Sequence, residues 1–130
     1  MQSIICNFEV IMKNQLTNQE LHNLAMNIVG KDLEDQGFEF LGIKSTLKSN
    51  PQFVALKDKK LHFVVVRAVT YPDDPKEYDR IFMESIKEHA LKFEAKTFYA
   101  GVGLANSADY EKPVLRDEDY IVNYEGWQEI

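Results

Sequence analysis

"NPQFVALKDKKLHFVVVRA", residues 50–68, decides the fold. Two short apolar runs, "QFVALK" and "LHFVVVRAV", flank a charged "DKK", and so short a connection between strand-like runs implies an antiparallel hairpin. Pro51 disfavours a helical Asn50, which sets the start of the first run. Val64, Val65 and Val66 are consecutive instead of alternating with polar residues, so the second strand is expected to be covered on both sides and central in its sheet.

Upstream of the hairpin, "TNQELHNLAMNIVGKDLEDQGF" starts with Thr17 three residues before Glu20, the spacing of a capping box. Leu21, Leu24, Ala25, Ile28 and Leu33 recur at helical spacing, and Gly37 is placed to end the helix. "FEFLGI" then takes a strand period. The earlier "SIICNFEVIM" suits either a strand or the first turns of a helix. Downstream, "DDPKEYDR" predicts a second helix capped by Asp74, with Pro75 in its first turn and Glu77 at the capping spacing. Its apolar stripe is Tyr78, Phe82, Ile86 and Phe93, widened by Ile81, Ala90 and Leu91. "TFYAGVGLA" returns to period two: Phe98, Ala100, Val102 and Leu104 share one side, and Tyr99, Gly101 and Gly103 the other, which the glycines leave open to a close backbone approach. "YIVNYEGWQEI" reads as a last strand or a packed aromatic tail.

At 130 residues and 15.1 kDa the chain is the size of one domain, residues 1–130, able to bury a core without help. Cys6 is the single cysteine, so an intrachain disulfide or a cysteine-rich zinc site is excluded. The absence of a leader or a spanning apolar run points to a soluble, cytoplasmic protein with no membrane partner. Residues 1–108 carry 14 acidic and 13 basic side chains and residues 109–130 seven and two, so the net charge of −6 is concentrated in an acidic, aromatic C-terminal segment. That balance speaks against nucleic acid as a partner. Lys57, Lys59 and Lys60 form a local basic group that suits a solvated hairpin turn.

The order helix, strand, strand, strand, helix, strand over residues 17–104, with "GFEF" after the first helix, resembles the core of the restriction-endonuclease-like superfamily with its PD-(D/E)xK pattern, in particular its small resolvase-like members. The resemblance implies an α/β fold of the α+β kind, a single-domain mixed sheet flanked by helices, with divalent-metal ligands on the hairpin. The positions where it implies those ligands hold Gln52 and Val65, and Arg67 stands where it implies a lysine. A hard cation needs several oxygen ligands, and Val65 offers none. Arg67 can hold an anion but is a poor general base at neutral pH. The frame is therefore expected to be catalytically degenerate, without metal or cofactor.

Other chemistry is weakly marked. His22, His62 and His89 suit structural or surface roles, Cys6 suits a buried thiol, and "GVGLA" lacks the spacing of a phosphate-binding loop. Arg67, Lys96 and Tyr99 are candidates for binding a small carboxylate or phosphate across Gly101 and Gly103. Against this, Arg67 can pair with a surface acid while Tyr99 packs its ring. Tyr120, Tyr124 and Trp127 are candidates for a protein interface, as a homodimer or with another protein, with Asp117, Glu118 and Asp119 steering a basic partner. The same tail can instead fold back over its own sheet. The expected function is thus non-catalytic: protein interaction or binding of a small anion. The alternative is a small metal-dependent hydrolase or nuclease whose carboxylates have moved, drawing on Glu20, Glu39, Asp73 and Asp74.

Overall fold

The computed structural model describes residues 14–130; the segment "SIICNFEVIM" and Cys6 lie outside the described residues. The hairpin forms between β2 (Phe53–Lys57) and β3 (Lys60–Thr70), antiparallel, with Lys57 opposite Lys60. Its two turn residues, Asp58 and Lys59, both take positive φ (53° and 63°), the backbone that lets a two-residue loop follow the twist of the strands. Around it lie α1 (Asn18–Asp35), β1 (Glu39–Ile43), α2 (Arg80–Leu91), β4 (Lys96–Asn106), β5 (Tyr120–Asn123) and β6 (Gln128–Glu129).

These elements make one mixed α/β domain: a six-stranded sheet in the order β1-β2-β3-β4-β5, with β6 also paired to β4. Among the described strands only β3 and β4 run parallel. The alternation of side chains divides the valine run between two layers. Val64 and Val66 pack with Ala25, Val29 and Leu33 of α1, whereas Val65 packs with Met83 of α2 and with Tyr99. All three valines are buried, as consecutive apolar residues in a doubly covered strand should be.

Helix α1 begins and ends as its sequence dictates. Thr17 Oγ1 accepts from the Glu20 N–H and Glu20 Oε1 accepts from the Thr17 N–H, each at 3.1 Å. At the other end Gly37 adopts φ +91°, its N–H donates to the Glu34 carbonyl and the Phe38 N–H to the Leu33 carbonyl, a Schellman closure.

Helix α2 departs from the expectation. Its cap is Asp79, whose Oδ1 accepts from the Phe82 N–H at 3.0 Å, and the helix starts at Arg80. Asp74 caps only a local turn, accepting from the Lys76 N–H through its side chain and from the Glu77 N–H through its carbonyl. The reason lies in the sheet: Pro75 is buried with its carbonyl oxygen against Gly101, where any β-carbon would collide with it. The segment crossing the sheet must pass before a helix can begin. The middle of the expected stripe is kept, with Tyr78, Phe82 and Ile86 packed against Val65, Met83 and Tyr99, but its flanks are kept only in part. Met83 is enclosed, whereas Ile81 is 87% exposed and Leu91 and Phe93 face outward.

The aromatic tail folds back. Gly126, with φ +91°, separates β5 from β6, and both strands pair along the same edge of β4. Tyr124 and Trp127 pack against the α1 layer.

Candidate functional site

Arg67 lies on β3 facing the α2 layer, just past the end of β2. Because β2 begins at Phe53, opposite Val64, the next outward peptide groups of β3 have no strand to meet. The chain closes this gap with side chains. The Val66 N–H donates to Gln52 Oε1 at 2.8 Å, and the Val66 carbonyl accepts from Arg67 Nη1 at 2.9 Å. Gln52 is fully buried and uses both ends of its amide: Oε1 also accepts from Arg67 Nη1 at 3.5 Å, and Nε2 donates to the Ser49 carbonyl at 2.7 Å and to Asn50 Oδ1 at 3.0 Å. Asn50 Oδ1 in turn accepts from Arg67 Nη2 at 2.9 Å.

The guanidinium is thus held by three neutral oxygens. No carboxylate among the described residues stands within ion-pair distance of it. It lies 5.3 Å from the centre of the Phe82 ring, a cation–π geometry. Burial lowers its pKa, and the neighbouring Tyr99 works weakly the other way. Burial likewise raises the Tyr99 phenol, which Arg67 partly offsets.

Beside Arg67 opens a cleft of about 360 Å³ whose walls are mostly apolar, with Tyr78, Phe82, Met83 and Tyr99 on one side and Glu77 and Asp79 at the rim. Arg67 and Tyr99 therefore meet, as the sequence suggests, but the ground above Gly101 does not stay open: Pro75 fills it. Lys96 belongs elsewhere. In the parallel register it stands level with His62 and Arg67 level with Gly101, five positions on, or about 16 Å along the strand. It lines a separate depression with Lys60, Lys87 and Glu129.

The remaining candidates are dispersed. Glu20 is taken up by the α1 cap and by Arg116, whose two terminal nitrogens donate to it at 2.7 and 2.9 Å. Its carboxyl pKa is lowered first by the Thr17 backbone bond and further by Arg116. Glu39 starts β1, and Asp73 and Asp74 lie in the segment before α2. Among the described residues no three His, Cys, Asp or Glu side chains converge as a metal site would require. No helix of the described residues is long and apolar enough to cross a membrane.

Of the aromatic tail, Tyr124 donates its hydroxyl to Asp32 Oδ2 at 2.7 Å, and burial with this bond raises its pKa. Trp127 meets Phe38 and Phe98 edge-on, at 5.6 and 6.5 Å between ring centres. Tyr120 alone of the three stands outward, on β5.

The partners of Arg67 are not marked by any local pattern in the sequence. Gln52 carries a signal in hindsight, being an amide at a strand start where the resemblance asks for a carboxylate; Asn50 and Phe82 carry none. Nor does the sequence mark the environment of His22, which is fully buried with neither ring nitrogen partnered among the described residues. Burial lowers its pKa, and the Arg67 charge adds to the effect. His62 instead stacks on Phe98 and bonds through Nδ1 to the Lys60 carbonyl at 2.9 Å.

Comparison with curated proteins and with solved structures finds no match. The family described as Domain of unknown function (DUF8840) matches over residues 19–130, a span that takes in the whole sheet, α2 and the Arg67 cleft, and the chain belongs to that family.

Proposed function

We propose that this domain is a non-catalytic binding module that receives a small ligand bearing one anionic group, with Arg67 as its anchor. The observation that carries this reading is the half-buried guanidinium oriented by Gln52, Asn50 and the Val66 carbonyl, with no carboxylate in ion-pair range among the described residues. Such a group supplies charge-assisted hydrogen bonds in fixed directions at little further ordering cost. The rings of Tyr78, Phe82 and Tyr99 favour a flat apolar body on the ligand, and Glu77 and Asp79 at the rim disfavour a second negative charge. In this reading the hairpin is a nuclease-like frame whose ligand positions hold Gln52, Val65 and Arg67.

Benzoate and phenyl phosphate, titrated into labelled protein and followed by NMR, test the anchor. Saturable shifts are expected at Tyr99, Phe82 and Arg67, and are lost in Arg67→Met, which keeps the apolar stem. A folded wild type without saturable shifts, or an Arg67→Met variant that binds equally, overturns the reading. Its non-catalytic half predicts no phosphodiester cleavage with magnesium or manganese; reproducible cleavage abolished by Glu20→Ala contradicts it.

A further inference from the structure

Strand β5 is the outermost strand on its side of the sheet, and among the described residues nothing pairs with its far edge. The Asp119 carbonyl accepts from the Ser107 N–H of the chain leaving β4, so the alternation of an antiparallel ladder turns the peptide groups of Tyr120 and Val122 away from β4. The edge is only four residues long, which limits pairing, but it carries little further protection. It contains no proline, no lysine and no bulge, and Tyr120, Ile121 and Val122 are 39%, 39% and 42% exposed.

The side chains add a pocket to this edge. Asn123 contacts the Gly103 position on the α2 side, and Ile121, two residues earlier, shares that side. Together they wall a mainly apolar cavity of about 210 Å³, roofed by Pro75 and by the half-exposed Tyr71 and Tyr110, whose rings stand 5.6 Å apart. It shares no wall residue with the Arg67 cleft. An unpaired edge with a side-chain pocket next to it is the arrangement by which sheets take up an extended peptide: main-chain bonds supply affinity and the pocket supplies selection.

Charge selects the occupant. Asp117, Glu118 and Asp119 lead directly into β5, Asp73 stands in the cavity wall, and residues 109–130 carry a net −5. Of the nearby cations, Arg116 is engaged with Glu20 and Lys76 with Glu125, which leaves Lys112 to set against the seven acidic side chains of residues 109–130. A second copy would bring two such acidic segments together, at a cost that an opposite charge reverses. We infer that β5 is a docking edge for an extended basic segment of another protein, which adds as a strand beside Tyr120 and Val122 and places one apolar side chain between Ile121, Tyr71 and Tyr110.

The test uses the full chain and a synthetic peptide, Lys-Lys-Thr-Val-Thr-Leu-Thr-Lys-Lys, with a counterpart in which every lysine is glutamate. Saturable binding of the lysine peptide is expected, with the Tyr120 and Val122 amides becoming slow to exchange. Replacing Asp117, Glu118 and Asp119 by their amides should weaken binding about tenfold. Val122→Pro removes an outward N–H and should abolish the complex; Ile121→Asp, acting on the pocket alone, should do the same if the proline variant fails to fold. Equal binding of the glutamate peptide, or no binding of either, overturns the inference. So does protection of those two amides without peptide, whether in a concentration-dependent dimer or in a monomer that covers its own edge.

Discussion

Two stretches of strand edge in this domain have been treated in opposite ways. Where β3 runs past the end of β2, the peptide groups of Val66 that no strand meets are closed by Gln52 and Arg67, side chains otherwise costly to bury. Along β5, the outward peptides of Tyr120 and Val122 have no partner among the described residues, and the flanking side chains are apolar. The first edge is interior and had to be satisfied for the chain to fold. The second lies at the surface, where solvent can satisfy what no described residue does, so folding does not require it to be closed.

The comparison breaks most readily at Gln52. Gln52→Ala removes an amide that makes four hydrogen bonds and strands the Val66 N–H, so denaturant unfolding should show a loss of about 2–4 kcal/mol. A loss no larger than that of an ordinary surface substitution would mean that water replaces the amide and the edge was never closed. Gly101→Ala sets a β-carbon against the Pro75 carbonyl and should cost about 1–3 kcal/mol, because backbone and not a flexible side chain must give way.

His22 sharpens the same contrast through pH. Its folded pKa lies below the ordinary 6.5, so the unfolded chain takes up the proton first on acidification. Stability is full above that value and falls as pH drops from it toward the lower folded pKa. His22→Leu should flatten this acid limb in chemical denaturation followed as a function of pH, leaving the part due to His62, whose pKa burial also lowers. An unchanged limb would show that His22 finds a partner for its charged form. The smallest effect is expected on β5: Val122→Thr should change stability by no more than about 0.5 kcal/mol while weakening peptide uptake, and a larger loss would make that strand part of the folding core.

Local signals were legible wherever the deciding residues lie close in sequence. The Thr17–Glu20 box, the Gly37 stop, the two-residue hairpin turn and the valine run each depend on neighbours a few positions apart. The start of α2 was misread for the opposite reason. Asp74, Pro75 and Glu77 present a good cap, yet Pro75 is held by Gly101, a residue 26 positions away in sequence, and Asp79 takes over. Ile81, which the stripe counted as apolar face, is exposed, and Met83, which it did not include, is buried. The candidate site was half legible: Arg67 and Tyr99 do meet, while Lys96 fails to join them because register, not composition, sets positions along a strand.

From its amino acids alone this chain commits to a sheet with a doubly covered central strand, because a run of consecutive valines can be buried on both faces only between two layers. Which polar groups face each other was settled by tertiary packing alone. Gln52 meets Arg67, Tyr124 meets Asp32, and β5 has no partner beyond β4 among the described residues, because the pairing of strands, and the path of the chain between them, distributes partners that no local pattern names.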